Sequence, residues 1–305
     1  MKTIRLATRS SALALWQANR VATLITNQFA DVNVQILPMT TSPDRRSETP
    51  LSELGGDKGL FVKEVEDAIL AGEADAAVHS LKDVPVDVTV PGLELVAMPE
   101  RADPRDVLFS AGRQNLMSLP PGARVATSSA RRAAHVLHRR KDLRIVPVRG
   151  NVDTRLRKLG ENQFDALILA AAGVSRLKIE GPVAELFPVR DWCPAAGQGI
   201  MVVESLTDSP FAEIWQAINS PIVQKAAIAE RMVVDRLGAN CHSAAGAYVW
   251  MDSGDRVGMS AFAASQDGQQ YLTAERVSIS PDYAKLAEAV ANDLLARGAA
   301  NFIRE

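Results

Sequence analysis

The chain has 305 residues, length for two or three domains each with its own core, and is 47% hydrophobic and 23% charged. That balance excludes a disordered or fibrous chain, and a formal net charge of −2 argues against bulk nucleic-acid binding. Two cysteines, Cys193 and Cys241, do not make a disulfide scaffold and point to a reducing cytoplasm, and no apolar run is long enough to span a bilayer.

The start, MKTIRLATRS, lacks the apolar stretch of a signal peptide and reads as a strand, Thr3–Ala7, followed by a helix over Ser10–Phe29 and a strand at Val34–Leu37. Residues 40–59, TTSPDRRSETPLSELGGDKG, have no periodicity and read as a long loop, either a lid or disordered segment or a surface loop with no role. A helix at Leu60–Leu70 then leads into a strand at Asp75–Val78. Further strands are expected at Leu93–Met98, Val107–Ser110, Arg124–Ala126, Arg144–Val148, Ala166–Leu169 and Gly199–Val203. Strands alternating with helices predict open, mainly parallel α/β sheets. MPERADPRD (98–106) and WCPAAGQG (192–199) read as two crossings between α/β lobes, a double hinge around a cleft. After Ser220 the pattern changes to a long helix, Ile222–Leu237, three short strands near Ala247–Trp250, Val257–Ala263 and Tyr271–Val277, and a helix over Tyr283–Arg297. This predicts a smaller α+β domain.

Eleven of the thirty-four Lys and Arg residues fall between Arg124 and Lys158, a window with only two acids, Asp142 and Asp153. Within it, VATSSARR (125–132) reads as a strand, a hydroxyl-rich turn and a helix start, where backbone N–H groups, hydroxyls and arginines together bind an oxyanion. VRGNVDTR (148–155) repeats the arrangement, with Arg149 ending a strand and Arg155 in the next helix. Arg139, Arg140 and Lys141 close a helix and are assigned to its solvent-facing end. His135 and His138 lie three apart on one helix face but lack a further ligand, so they read as packed or solvated residues, with no metal. In AAVHSLKDVP (76–85) a strand runs into a polar tip and Pro85 holds Val84 extended, projecting Asp83; general acid/base, cation stabiliser and turn-forming residue all remain open readings. Cys241, in the small-residue loop GANCHSAAG, is either a nucleophile or attachment point, or a small buried hydrophobe.

Taken together, ATRSSALALWQA, GGDKGLFVKEVE, ADAAVHSLKDVPV, ERADPRDVLFS, ATSSARRAA, VRGNVDTRLRKL, LAAAGVSRL, PAAGQG and the Cys241 loop resemble the hydroxymethylbilane synthase (porphobilinogen deaminase) family over essentially the whole chain. The resemblance implies an α/β fold of two lobes like those of type II periplasmic binding proteins, joined by a double hinge, plus a smaller α+β domain. The implied domains are 1–98 with 199–218, 104–192, and 220–305, the first holding the catalytic Asp and the 40–59 lid. It implies a cytoplasmic monomer acting on porphobilinogen, with no nucleic-acid or membrane partner. Four porphobilinogens are condensed head to tail, each losing ammonia, on a dipyrromethane cofactor, and the linear tetrapyrrole is released by hydrolysis.

Matched motif by motif, Cys241 carries that cofactor through a thioether and Asp83 is the catalytic carboxylate. Ser80, Lys82, Asp83, Thr127, Ser128, Ser129, Arg131, Arg132, Arg149 and Gly150 are implied to hold the cofactor. Arg9, Ser11, Gln17, Arg149, Arg155, Arg176 and Gln198 are implied to hold substrate, and Lys58 and Phe61 to end the lid. Asn240 stands where the family usually has Gly, Ala244 and Ala12 where it usually has Pro, and Asp57 and Glu53 alter the lid. Asn tolerates positive φ better than most residues, so the turn is expected to survive this replacement.

The competing reading is a two-lobed carboxylate- or amino-acid-binding module without catalysis, which leaves Cys241 and the last domain unexplained. Nucleic-acid binding through the basic window fails because no aromatic residue lies between Arg124 and Lys158.

Overall fold

The computed structural model describes residues 2–40, 62–88, 90–240, 242–252, 256–279 and 282–303. These form two compact units, 1–102 with 199–224, and 103–198 with 225–305. The chain therefore passes between units near residues 102, 198 and 224.

The first unit is built on a five-stranded sheet. β1 (Lys2–Arg9) pairs in parallel with β2 (Val32–Met39), from Lys2 opposite Val32 to Arg9 opposite Met39. β3 (Ala76–Ser80) lies on the other side of β1. β10 (Met201–Leu206) pairs antiparallel with both β3 and β4 (Leu93–Ala97), giving the order β2-β1-β3-β10-β4. Both faces are covered, so adjacent residues of β1 enter different cores. Leu6 packs with Ala18, Val21 and Ile25 of helix α1 (Ala12–Gln28), whereas Ala7 packs with Val65, Ala68 and Ile69 of α2 (Lys63–Leu70).

The second unit repeats this plan. β5 (Asp106–Ser110), β6 (Arg124–Ala126), β7 (Arg144–Val146), β8 (Ala166–Ala170) and β9 (Val183–Leu186) take the order β7-β6-β8-β5-β9, with β5 antiparallel to both neighbours. In each sheet four strands share a direction and one, β10 or β5, opposes them. The open, mainly parallel sheets expected from the sequence are thus mixed sheets, each with one reversed strand. β7 ends at Val146 rather than at Arg149 because Pro147 has no N–H to continue the ladder. α3 (Ala130–Arg139) and α4 (Val152–Gly160) follow β6 and β7.

The C-terminal part has its own antiparallel sheet, β11 (Ala244–Met251), β12 (Val257–Ala264) and β13 (Tyr271–Ser278). Every residue of β12 is buried because both its faces are covered. Met259, Ala261 and Ala263 meet the helices Pro221–Arg236 and Tyr283–Ala296, while Phe262 and Ala264 meet Ala134 of α3 and Cys193. Sealing that second face joins residues 225–305 to residues 103–198 in one compact unit. No helix among the described residues is long and apolar enough to cross a membrane.

Candidate active site

In the first unit, β1 ends at Arg9 and Ser11 caps α1, its hydroxyl accepting from the Ala14 N–H at 3.3 Å. One turn on, Gln17 is buried and donates through Nε2 to Ser80 Oγ at 2.9 Å, which ties the helix to the tip of β3. Leu81 is the buried anchor of the following 3-10 turn, Leu81–Asp83, and its N–H donates to the Ile200 carbonyl at 3.0 Å. Lys82 and Asp83 are exposed. Val84 is extended, at φ −86° and ψ 121°, as its position before Pro85 requires. Arg9, Ser11, Gln17, His79, Ser80 and Asp83 line a common cavity. A carboxylate, a guanidinium and two hydroxyls thus meet at the carboxyl end of a strand.

In the second unit, Thr127 is buried at the end of β6 and Ser128 clips the next loop, its hydroxyl donating to Val148 O at 2.8 Å and accepting from Val148 N at 3.0 Å. Ser129 caps α3, accepting weakly from Arg132 N at 3.5 Å. The next two side chains turn inward. Arg131 Nη2 reaches Asp106 Oδ2 at 2.6 Å, and Arg132 reaches Asp106 Oδ1 through Nε at 3.1 Å and Nη2 at 2.8 Å. Trp192 Nε1 and Gln198 Nε2 donate to the same carboxylate at 2.9 and 3.0 Å. Burial alone would push the Asp106 carboxyl up, but the charges of Arg131 and Arg132 outweigh it and hold it well below the usual carboxylate range. The Arg131, Arg132 and Gln198 side chains are therefore engaged in a buried network that leaves one positive charge uncompensated by Asp106. Motif reading passed over Asp106, and its signal was the second Asp of ADPRD, placed at the first residue of a buried strand.

Arg149 lies beyond Pro147 in the loop between β7 and α4, and its Nη1 is buried without a hydrogen-bond partner. Gly150 takes φ +108°, and a Cβ there would meet Thr154 Cγ2 at 2.8 Å, so only glycine lets the loop close onto the helix. Arg155 Nε donates back to the Gly150 carbonyl at 2.7 Å. Arg176 is buried at the end of a helix, Ala171–Arg176. A buried guanidinium nitrogen with nothing to donate to, beside a tight turn and a helix start, fits a ligand carboxylate. The dipyrromethane's acetate and propionate groups are of that kind.

The other basic residues of the window need correction in one respect. Arg140 does not face solvent: its guanidinium donates to the carbonyls of Leu116, Met117 and Leu119 at 3.1, 2.9 and 3.0 Å and pairs with Asp142. Arg139 bonds the carbonyls of His135 and Asp191 and lies over the Trp192 ring. His135 is buried between Trp192 and Phe262, with Nδ1 2.8 Å from Tyr271 Oη and Nε2 3.0 Å from Cys193 O. His138 stacks on Tyr271. His135 is therefore packed in the interior, whereas His138 is exposed beside the Tyr271 ring. Among the described residues no cluster of His, Cys, Asp and Glu could hold a metal ion.

Cys241, Lys58, Phe61 and the lid beyond Thr40 lie outside the described residues. The residues flanking Cys241 are described. Asn240 Oδ1 accepts from His242 N at 2.9 Å, and Ser243 Oγ accepts from Asn240 N at 3.1 Å. Asn240 is absent from the described non-glycine residues with positive φ, which are Arg113, Asn162 and Lys178. Ala244 is buried at the start of β11, opposite Ala264.

Residues 4–213 match the family model described as porphobilinogen deaminase, dipyromethane cofactor binding domain. A porphobilinogen deaminase of Thiobacillus denitrificans is 42% identical over 300 residues, covering 98% of this chain and 97% of the relative. One of Campylobacter hominis is 40% identical over 306 residues, covering 100% and 98%. The chain belongs to the porphobilinogen deaminase family. The family match spans both α/β sheets and ends before the Cys241 loop, whereas the full-length relatives carry the similarity through the C-terminal part. Among solved structures, a methionine-binding protein, MetQ, shows 14% identity at a TM-score of 0.42, covering 74% of this chain and 93% of that one.

Proposed function

We propose that the chain is a hydroxymethylbilane synthase, a transferase that condenses four porphobilinogens head to tail with loss of ammonia and releases the linear tetrapyrrole by hydrolysis. One observation carries the site: Asp83 stands on a turn at the carboxyl end of β3, in a cavity shared with Arg9, Ser11 and Gln17. A carboxylate anchored there accepts hydrogen bonds from pyrrole N–H groups and stabilises the positive charge that develops as ammonia leaves the substrate. Arg9 and the Ser11 hydroxyl bind a substrate carboxylate as charge-assisted partners.

When bound, the dipyrromethane supplies the primer to which the substrate units are joined. Cys241 anchors it through a thioether. Arg149, with its buried Nη1, and the hydroxyls of Thr127, Ser128 and Ser129 at the head of α3 hold its carboxylates. Arg131, Arg132, Arg155, Arg176, Ser80, Lys82, Gly150 and Gln198 complete the assigned contacts, and Lys58 and Phe61 end the lid. The net charge that Asp106 leaves on Arg131 and Arg132 supports an anionic ligand near α3. The resemblance supports a cytoplasmic monomer of three domains, 1–98 with 199–218, 104–192 and 220–305.

Intact-protein mass spectrometry before and after addition of porphobilinogen tests the reading. The purified protein is expected to carry an increment of two porphobilinogen-derived units, to gain further units on addition of substrate, and to lose every increment in Cys241→Ser. Full activity at the bare sequence mass would overturn the cofactor assignment. Equilibrium binding of an amino acid with no consumption of porphobilinogen would favour the binding-module alternative.

A further inference from the structure

His135 has no part in the reaction derived above, yet it stands where two parts of the second unit meet. Its ring is fully buried and stacks between Trp192 and Phe262, at centroid distances of 4.5 and 4.1 Å. Nε2 lies 3.0 Å from the Cys193 carbonyl, which can only accept, so Nε2 carries a hydrogen. In the neutral ring Nδ1 is then an acceptor, and the Tyr271 hydroxyl, 2.8 Å away, donates to it. Burial, and after it the charge of Arg131, hold the imidazole well below its ordinary range and keep the ring neutral.

Both ends of this bridge lead to groups assigned to the cofactor. The Cys193 carbonyl also accepts from Arg131 Nη1 at 2.9 Å, and Arg131 Nη2 continues to Asp106. Arg131 and His135 lie one turn apart on α3, the helix that Ser129 caps. At the other end, Tyr271 of β13 pairs with Ala264 of β12, and Ala264 pairs with Ala244 of β11. Ala244 follows Cys241, His242 and Ser243, so the chain leaves the anchoring loop in the same cross-strand row as Tyr271. Ala244, Ala264 and Tyr271 pack with Ala130, Ala134 and Cys193. Apolar packing among small side chains has no preferred direction, whereas the two hydrogen bonds of His135 do.

We propose that His135 and Tyr271 are positioning residues for the cofactor: the Tyr271–His135–Cys193 bridge sets the C-terminal sheet, and with it the Cys241 loop, in register with Arg131 and the head of α3. The proposal rests on the function proposed above. Neither residue touches a reacting atom. They place the anchor of the primer against the groups that hold its carboxylates, and a slip of that register misplaces the end of the primer that receives the next unit.

The test uses the cofactor-loaded protein. Nitrogen-15 spectra of the histidine rings are expected to show His135, assigned by its loss in His135→Gln, as the neutral Nε2–H tautomer from about pH 6 to 8. His135→Leu keeps an apolar side chain in the ring stack but removes both hydrogen bonds. Its kcat for porphobilinogen is expected to fall about five- to thirtyfold, the effect of one or two buried hydrogen bonds left unmade. KM is expected to hold, because Arg9 and Ser11 lie in the first unit. His135→Gln, whose amide donates to the Cys193 carbonyl and accepts from Tyr271, is expected to recover most of the lost kcat. Wild-type kcat in His135→Leu, a Gln variant no better than the Leu variant, or a charged or Nδ1–H ring in the wild type would overturn the proposal. If His135→Leu fails to fold, Tyr271→Phe decides, since it removes a single hydroxyl and keeps the ring: a lower kcat with a shifted His135 signal supports the bridge, and wild-type kcat overturns it. Failure of the underlying function would look different, because wild-type protein would consume no porphobilinogen.

Discussion

Arg132 closes on one oxygen of Asp106 with two donors, Nε at 3.1 Å and Nη2 at 2.8 Å, while the carboxylate itself is fully buried. The preceding residue, Arg131, takes the other oxygen. Two successive helix residues are thereby fixed to the first residue of β5, which sets the orientation of the α3 N-terminus that carries Ser129. Salt bridges on the surface contribute little, but removing one partner of a buried set leaves the remaining charges without compensation.

Asp106→Asn is accordingly expected to destabilise the protein by about 3–5 kcal/mol, because two buried guanidiniums lose their counter-charge. Urea denaturation of wild type and variant measures this directly. A loss below about 1 kcal/mol would mean that the network is wetter than the packing implies.

Asp83→Asn is expected to fold normally, since Asp83 is exposed and Leu81 anchors the turn. Turnover of porphobilinogen is expected to fall by about 100-fold or more, the loss typical of removing one charge-stabilising group. Circular dichroism and steady-state rates separate the two effects, and near-normal turnover would remove Asp83 from the catalytic role.

Arg149→Met is expected to leave the cofactor-free protein as stable as wild type or up to about 1–2 kcal/mol more stable, because it removes a buried nitrogen that has no partner. The same variant is expected to retain less cofactor. Thermal melts of the cofactor-free form, paired with the covalent mass increment, read both. Destabilisation of the cofactor-free form would place the role of Arg149 in folding instead.

Glu66 gives stability its own pH dependence. Its folded carboxyl is raised to about 7, so the folded state holds a proton that the unfolded chain releases near its ordinary value of 4.5. The contribution is fully present below about 4.5 and is lost as pH rises through about 7. Its size is on the order of 3–4 kcal/mol, from a shift of about 2.5 units at 1.4 kcal/mol each. Glu66→Gln is expected to flatten the wild-type loss of stability between about pH 5 and 8, measured by urea midpoints.

The sequence alone determined the alternation of strands and helices, because apolar periodicity is a local property. Thr3–Ala7 became Lys2–Arg9, and Ser10–Phe29 became Ala12–Gln28. It also determined the family and the motif carrying Asp83. Where a local rule applied it worked: Pro85 extends Val84 as expected, whereas the expected continuation of a strand to Val148 ignored the missing N–H of Pro147. Only the tertiary structure decided which cations remain available to a ligand. Arg131, Arg140 and Arg149 are equivalent in a charge count, yet one is held by Asp106, one by three carbonyls, and one has a buried nitrogen with no partner. The partners that make this difference are 25, 24, 23 and 21 residues away in sequence for the first two, and no periodicity encodes them. The pairing of His79 with Glu204, 125 residues apart, has the same origin: an antiparallel strand inserted after the chain has built another unit brings two ionisable groups into one dry interior.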